Sequence, residues 1–191
     1  MVRDYIGDHI RHYPVSSISS LAPYSALVLS IALIVLFLIR FYILQRFLLE
    51  KLYGSVYNNL GDLERRSFLN HHIAGATKIA ILIVGIYPFG AVNFGSANFH
   101  TPCMPGSKVM MGDLLLVAAQ MLTAMFHFEL LYRVKISPVS VAHHIGSIVV
   151  AQAAITISIR GDPESSIEFM LCTVWGKLIF SSRNIVLPSN G

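Results

Sequence analysis

The sequence predicts an all-α integral membrane protein, a helical bundle of four or five transmembrane helices. Three observations carry that expectation. Of the 191 residues 54% are hydrophobic and 13% are charged, where a soluble domain carries roughly a quarter charged residues. The stretch from Leu21 to Ile39 contains no charge and is long enough to cross a hydrocarbon core of about 30 Å at 1.5 Å per residue. Comparable apolar stretches recur down the chain, separated by polar segments or by segments rich in Gly and Pro. The net charge of +4 resides in lysines and arginines scattered beside the apolar stretches. No dense basic tract of the nucleic-acid-binding kind is present, and no nucleic-acid partner is expected. With only Cys103 and Cys172, there is neither a disulfide framework nor paired-cysteine metal spacing.

Residues 1–20 mix Arg3, Asp4, Asp8, His9, Arg11 and His12 without a hydrophobic period and read as a solvated tail rather than a cleavable signal. The transmembrane domain then occupies 21–180. Its first span is Leu21 to Ile39. Arg40 to Leu52 keeps a helical alternation through Phe41, Leu44, Phe47, Leu48 and Leu52, which predicts a helix leaving the bilayer along its interface. Tyr53 to Arg66, punctuated by Gly54 and Gly61, predicts a loop. The second span is Phe68 to Phe89, with His71 and His72 at its start and Lys78 inside it. Gly90 to Ser107, with three glycines and two prolines, predicts a second loop.

The third span, Val109 to Tyr132, and the fourth, Val139 to Ile159, are joined by a short turn containing Lys135 and Pro138. A turn this short makes them antiparallel neighbours. Ile167 to Phe180, interrupted by Lys177 and containing the candidate interfacial anchor Trp175, is a fifth apolar segment at the short end of what spans a bilayer. Residues 181–191 form a polar tail.

Basic residues concentrate in Arg40 to Arg66 and in the turn carrying Arg133 and Lys135, so both connections are expected to face the cytosol. On that topology His71, His72, His127, Glu129, His143 and His144 all fall at one membrane depth. Ionisable groups there are costly unless paired or wetted. The candidate catalytic group is His143, His144, His127 and Glu129, because the turn between the third and fourth spans brings these positions together. Imidazole near neutral pH can accept or give a proton, so one of the pair could serve as general base toward a hydroxyl or amine. A metal is the other chemical option for imidazoles with a carboxylate. Membrane di-iron enzymes, however, need several His-x-x-His-His clusters, and here there are bare His-His pairs. No cofactor or metal site is therefore assigned. Histidines at span ends can also serve only to cap a helix or meet headgroups, and His71 and His72 fit that reading as well as the functional one. Asp113, Gln120 and His127, seven apart, share a face of the third span. The first two read as interhelical hydrogen-bond partners.

The run Phe128-Glu129-Leu130-Leu131-Tyr132-Arg133, followed by Lys135-Ile136-Ser137-Pro138 and His143-His144-Ile145-Gly146-Ser147, resembles the TLC-domain family over roughly Phe41 to Trp175. That family of multi-span proteins includes ceramide synthases and the translocating-chain-associating membrane protein. The resemblance implies residence in the endoplasmic reticulum or another endomembrane, membrane lipids as partners, and a role in lipid metabolism or membrane lipid homeostasis. Ceramide synthases follow the His pair with a His-Asp and further acidic residues, whereas no histidine follows His144 here. The family domain also continues through further spans, so the chain reads as a TLC-like domain lacking its C-terminal part. Three functional expectations follow. The first is non-catalytic lipid handling, which the missing His-Asp favours. The second is a lipid N-acyltransferase of the ceramide synthase kind using His143 and His144. The third is a metal-dependent lipid oxidase, which the spacing disfavours.

Overall fold

In a computed structural model, which describes residues 18–160, the chain runs up and down through four long helices. They are α1, Ala22–Tyr53; α2, Asp62–Asn93; α3, Met111–Tyr132; and α4, Pro138–Arg160. Each is long and apolar enough to cross a membrane, and together they form a membrane-embedded all-α bundle. Large apolar side chains such as Leu27, Ile31, Ile34, Ile79, Ile83 and Ile86 are exposed, as the lipid-facing surface of such a bundle requires. The fifth apolar segment, Ile167 to Phe180, and the two tails beyond 18 and 160 lie outside the described residues.

Helix α3 packs against all three others and is the most buried of the four. Its contact with α2 is close because small residues face one another: a Cβ added to Gly85 would stand 3.5 Å from that of Ala118. Small residues let helix backbones approach where lipid supplies no hydrophobic drive for association. The main apolar cluster lies toward the other end of α3 and joins Leu36, Leu44 and Leu49 of α1, Leu69 and Ile73 of α2, and Ala124 and Phe128 of α3.

The first span does not stop at Ile39. Helix α1 continues unbroken to Tyr53, about 48 Å at 1.5 Å per residue, so Arg40 to Leu52 is not a separate interfacial helix. From Ile39 to Leu48 the helix is of the π type, and its inward residues explain why. Leu36, Arg40, Leu44 and Leu49 are buried at spacings of four, four and five. In a uniform α-helix, Leu49 would sit about 140° away from the face of Leu36. The wider turns keep all four in one line, and of the apolar alternation only Leu44 is buried, while Phe47, Leu48 and Leu52 are exposed.

Two predicted loops are shorter than expected. After Gly54, whose positive φ of 49° breaks α1, the chain makes a single helical turn at Ser55–Asn58. Helix α2 then starts at Asp62 rather than Phe68. The Gly61 amide donates to Glu64 Oε2 at 3.0 Å, and Asp62 and Glu64 lie in the first turn, where carboxylates meet the positive helix end. At its far end α2 passes through Pro88 to Asn93, so a proline five residues before the helix end is accommodated.

The tail assignment also changes at its boundary. Ser19 is buried, and Asp113 Oδ1 accepts bonds from Ser19 Oγ at 2.7 Å and from the Ser20 amide and Oγ at 3.0 Å each. Its Oδ2 accepts the Met110 amide at 3.0 Å, capping α3. The contact is close enough that a Cβ on Gly112 would stand 1.9 Å from the Ile18 carbonyl oxygen.

Gly112→Ala should therefore weaken the bundle by about 2 kcal/mol through overpacking. Gly75→Ala, with open space around the added methyl, should be neutral or stabilise by up to about 1 kcal/mol. Equilibrium unfolding of the two variants in one detergent checks this: the expected order is Gly75→Ala at or above wild type, and Gly112→Ala below it.

Candidate functional site

The basic end of the bundle, where α1 and α3 finish and α2 and α4 begin, carries the predicted site. Glu129 lies about one turn from the end of α3, and His144 about 9 Å into α4. Their side chains meet, with His144 Nε2 2.8 Å from Glu129 Oε2. A carboxylate only accepts, so Nε2 carries the proton in this contact. His144 is 7% exposed, and its Nδ1 is buried with no hydrogen-bond partner among the described residues. The ring stacks on Phe126, centroids 4.7 Å apart and planes 21° from parallel. Arg133, one turn after Glu129, brings its guanidinium to 3.6 Å of the same carboxylate oxygen. That side chain is partly exposed, so its contribution is small.

His143 is half-buried, with its ring edge-on to Phe126 at 5.7 Å and 5.5 Å from the His144 ring. His127 stands apart from this group. It bonds its own helix through Nδ1 and the Thr123 carbonyl at 2.8 Å, and no hydrogen bond or ring contact joins it to Glu129 or His144 among the described residues. Two positions along α3 turn a side chain through about 200°, so Glu129 and His127 face opposite ways. The predicted foursome is thus a cluster of Glu129, His143 and His144, with His127 at the same depth on another face.

The second histidine pair is likewise elsewhere. His71 is exposed. His72 lies 2.9 Å from the Tyr53 hydroxyl through Nε2, bonds the Phe68 carbonyl through Nδ1, and packs on the Tyr53 and Phe68 rings. It ties the end of α1 to α2. Deeper in the bundle, Gln152 Nε2 of α4 donates to Gln120 Oε1 of α3 at 2.9 Å, the interhelical role expected of Gln120. Among the described residues no three His, Cys, Asp or Glu side chains are grouped so as to hold a metal ion. Cys103, in the loop before α3, has its thiol pKa raised by burial and secondarily by the Asp113 carboxylate, which opposes thiolate chemistry there.

The residue that sequence reasoning misplaced is Arg40. Assigned to a cytosolic connection, it is 5% exposed inside the bundle. Its Nη1 donates to Asn70 Oδ1 of α2, and its guanidinium lies 4.8 Å from the Tyr132 ring centroid, 5.7 Å from that of Phe128 and 5.6 Å from that of Phe41. Arginine over aromatic faces is a favourable arrangement. Spacing within one helix gives no signal of this, because Asn70, Phe128 and Tyr132 lie on α2 and α3.

No protein-family model, no curated protein and no solved structure matches the chain. The site therefore rests on its own geometry.

Replacing Glu129 by Leu should cost about 2 kcal/mol, because His144 Nε2 is left buried without an acceptor. Adding His144→Leu should recover most of that loss, since both polar groups are then gone. Unfolding free energies of the two single variants and the double variant give the coupling directly. Additive losses would show that the pair does not fasten α3 to α4.

Proposed function

We propose that the chain is a multi-pass membrane protein of lipid metabolism or membrane lipid homeostasis, with a TLC-like domain, that handles lipid without itself catalysing a reaction. The observation that supports a non-catalytic reading is the state of His144. One ring nitrogen is held by Glu129 and the other is wholly buried, so neither is presented to a substrate. A polar pair joining two helices near the headgroup region is suited to a different task. A lipid headgroup that competes for Glu129 or His144 would loosen α4 from α3 and open a polar-lined cleft between them, coupling lipid occupancy to helix position. The resemblance to TLC domains supports a location in the endoplasmic reticulum or a related membrane.

A second reading, the lipid N-acyltransferase, is favoured by one feature of the same pair. A carboxylate holding one imidazole nitrogen fixes the tautomer and leaves the other as base, the arrangement used in general base catalysis. Movement of α4 would have to uncover Nδ1. It could then take the proton of a lipid amine as that amine attacks an acyl-CoA thioester: the C–N bond forms, the C–S bond breaks, and the imidazolium, stabilised by Glu129, returns the proton to the departing thiolate. The metal-dependent oxidase has weaker support, since the histidines fall into separate groups on different helix faces.

Cells lacking the protein, resupplied with wild type or with His143→Asn together with His144→Gln, test the proposal through their lipid profile. Wild type should correct the altered composition and the double variant should not, at equal membrane insertion. Equal correction by both would remove the His pair from function. Consumption of acyl-CoA by purified wild type, lost in the double variant, would decide for the acyltransferase.

A further inference from the structure

Arg40 is a buried cation in a membrane-spanning helix, and among the described residues no carboxylate lies within ion-pair distance of it. Its partners among the described residues are one amide oxygen and three ring faces. Desolvating a charge is costly unless it is paired, and an intramembrane charge retained without a counter-charge marks a functional position. The hydrogen-bond inventory points the same way. Arg40 Nε and Asn70 Nδ2 are both donors, both buried, and both without an acceptor among the described residues. They belong to side chains already bonded to each other through Arg40 Nη1 and Asn70 Oδ1. Asn70 is itself 3% exposed. An anionic group with several oxygens would answer both the unpaired charge and the two donors.

Depth selects the source of that group. Arg40 lies about 27 Å along α1 from Ala22, near the far boundary of a hydrocarbon core of about 30 Å, where phospholipid phosphates sit. Arg66, exposed and one turn before Asn70 on the same face of α2, adds a second cation on the headgroup side. Toward lipid the guanidinium is covered by Phe41, which is exposed, and Tyr132, which is half-buried, with ring centroids 6.2 Å apart. Two rings with one exposed edge can part more readily than packed helix backbone. The π-helical turns of α1 begin at Ile39, next to the arginine, and such turns recur at functional sites.

We propose that Arg40 and Asn70 form a binding site for the phosphate oxyanion of an anionic phospholipid, entering between Phe41 and Tyr132. The site is separate from the Glu129–His144 cluster and lies against a different face of α3. It rests on the membrane-lipid reading for the class of its ligand, but on Arg40 and Asn70 for its existence.

The test uses the purified full chain in phosphatidylcholine nanodiscs with and without a minor fraction of phosphatidic acid, read as the thermal midpoint. Wild type should gain about 4 °C with phosphatidic acid, since a ligand that binds the folded state raises the midpoint. Arg40→Gln should lose the gain. Because that variant can also fail to fold, Asn70→Asp is the second arm: it supplies Arg40 with a carboxylate from within, so the fold should hold and the gain should vanish. Arg46→Gln, at an exposed position, should keep the gain. No gain in wild type, or an undiminished gain in Asn70→Asp, overturns the proposal. An equal gain from inorganic phosphate in pure phosphatidylcholine discs would assign the site to soluble anions, and a gain from oleate alone to fatty-acid carboxylates; either overturns the phospholipid assignment. Because the readout is binding to purified protein, it is independent of the lipid profile on which the lipid-handling reading depends.

Discussion

The hydrocarbon core offers no water to a polar side chain, so each such group on the central helix must find its partner within the protein. Helix α3 carries Asp113, Gln120, Thr123 and Glu129, and each makes a hydrogen bond within the bundle, Gln120 through Oε1 while its buried Nε2 has no partner among the described residues. Asp113 fastens Ser19 and Ser20 ahead of α1. Gln120 and Glu129 hold α4 through Gln152 and His144. Thr123 returns its hydroxyl to the Ala119 carbonyl of its own helix. The polar contacts on α3 thus set which neighbour lies where, while apolar surface is left for lipid on the outside.

The same constraint accounts for the unusual course of α1. Its first half is apolar and faces lipid with most of its side chains, but Arg40 lies too far along the helix to escape readily to the starting side. Turned inward, it meets Asn70 and the rings of Phe128 and Tyr132. Holding Leu36, Arg40, Leu44 and Leu49 in one inward line requires wider turns than the α-helix has, and the π-helical stretch provides them. A buried cation and a distorted helix are therefore two aspects of one packing solution.

Much of this was legible in the sequence where the information is local. The lengths of α3 and α4 and the turn between them follow from apolar runs and Pro138. The meeting of Glu129 with His144 follows from that turn, because two antiparallel helices joined by a few residues must pair positions near it. The inward turn of Arg40 was not legible, since basic residues near span ends ordinarily mark topology and its partners lie on α2 and α3, distant in sequence. His127 was misjudged for a simpler reason: depth was treated as proximity, whereas a side chain two positions from Glu129 points the other way round the helix. The start of α2 at Asp62 was hidden by a polar first turn that also suits a loop.

The central claim, that the polar face of α3 is turned toward its neighbours, is tested most directly by cysteine cross-linking in intact membranes. In a background with Cys103 and Cys172 replaced by Ser, Gln120→Cys combined with Gln152→Cys should form a disulfide rapidly on mild oxidation. Leu122→Cys combined with Gln152→Cys, rotated about 200° around α3, should not. Equal cross-linking of both pairs, or cross-linking of the second alone, would contradict the arrangement.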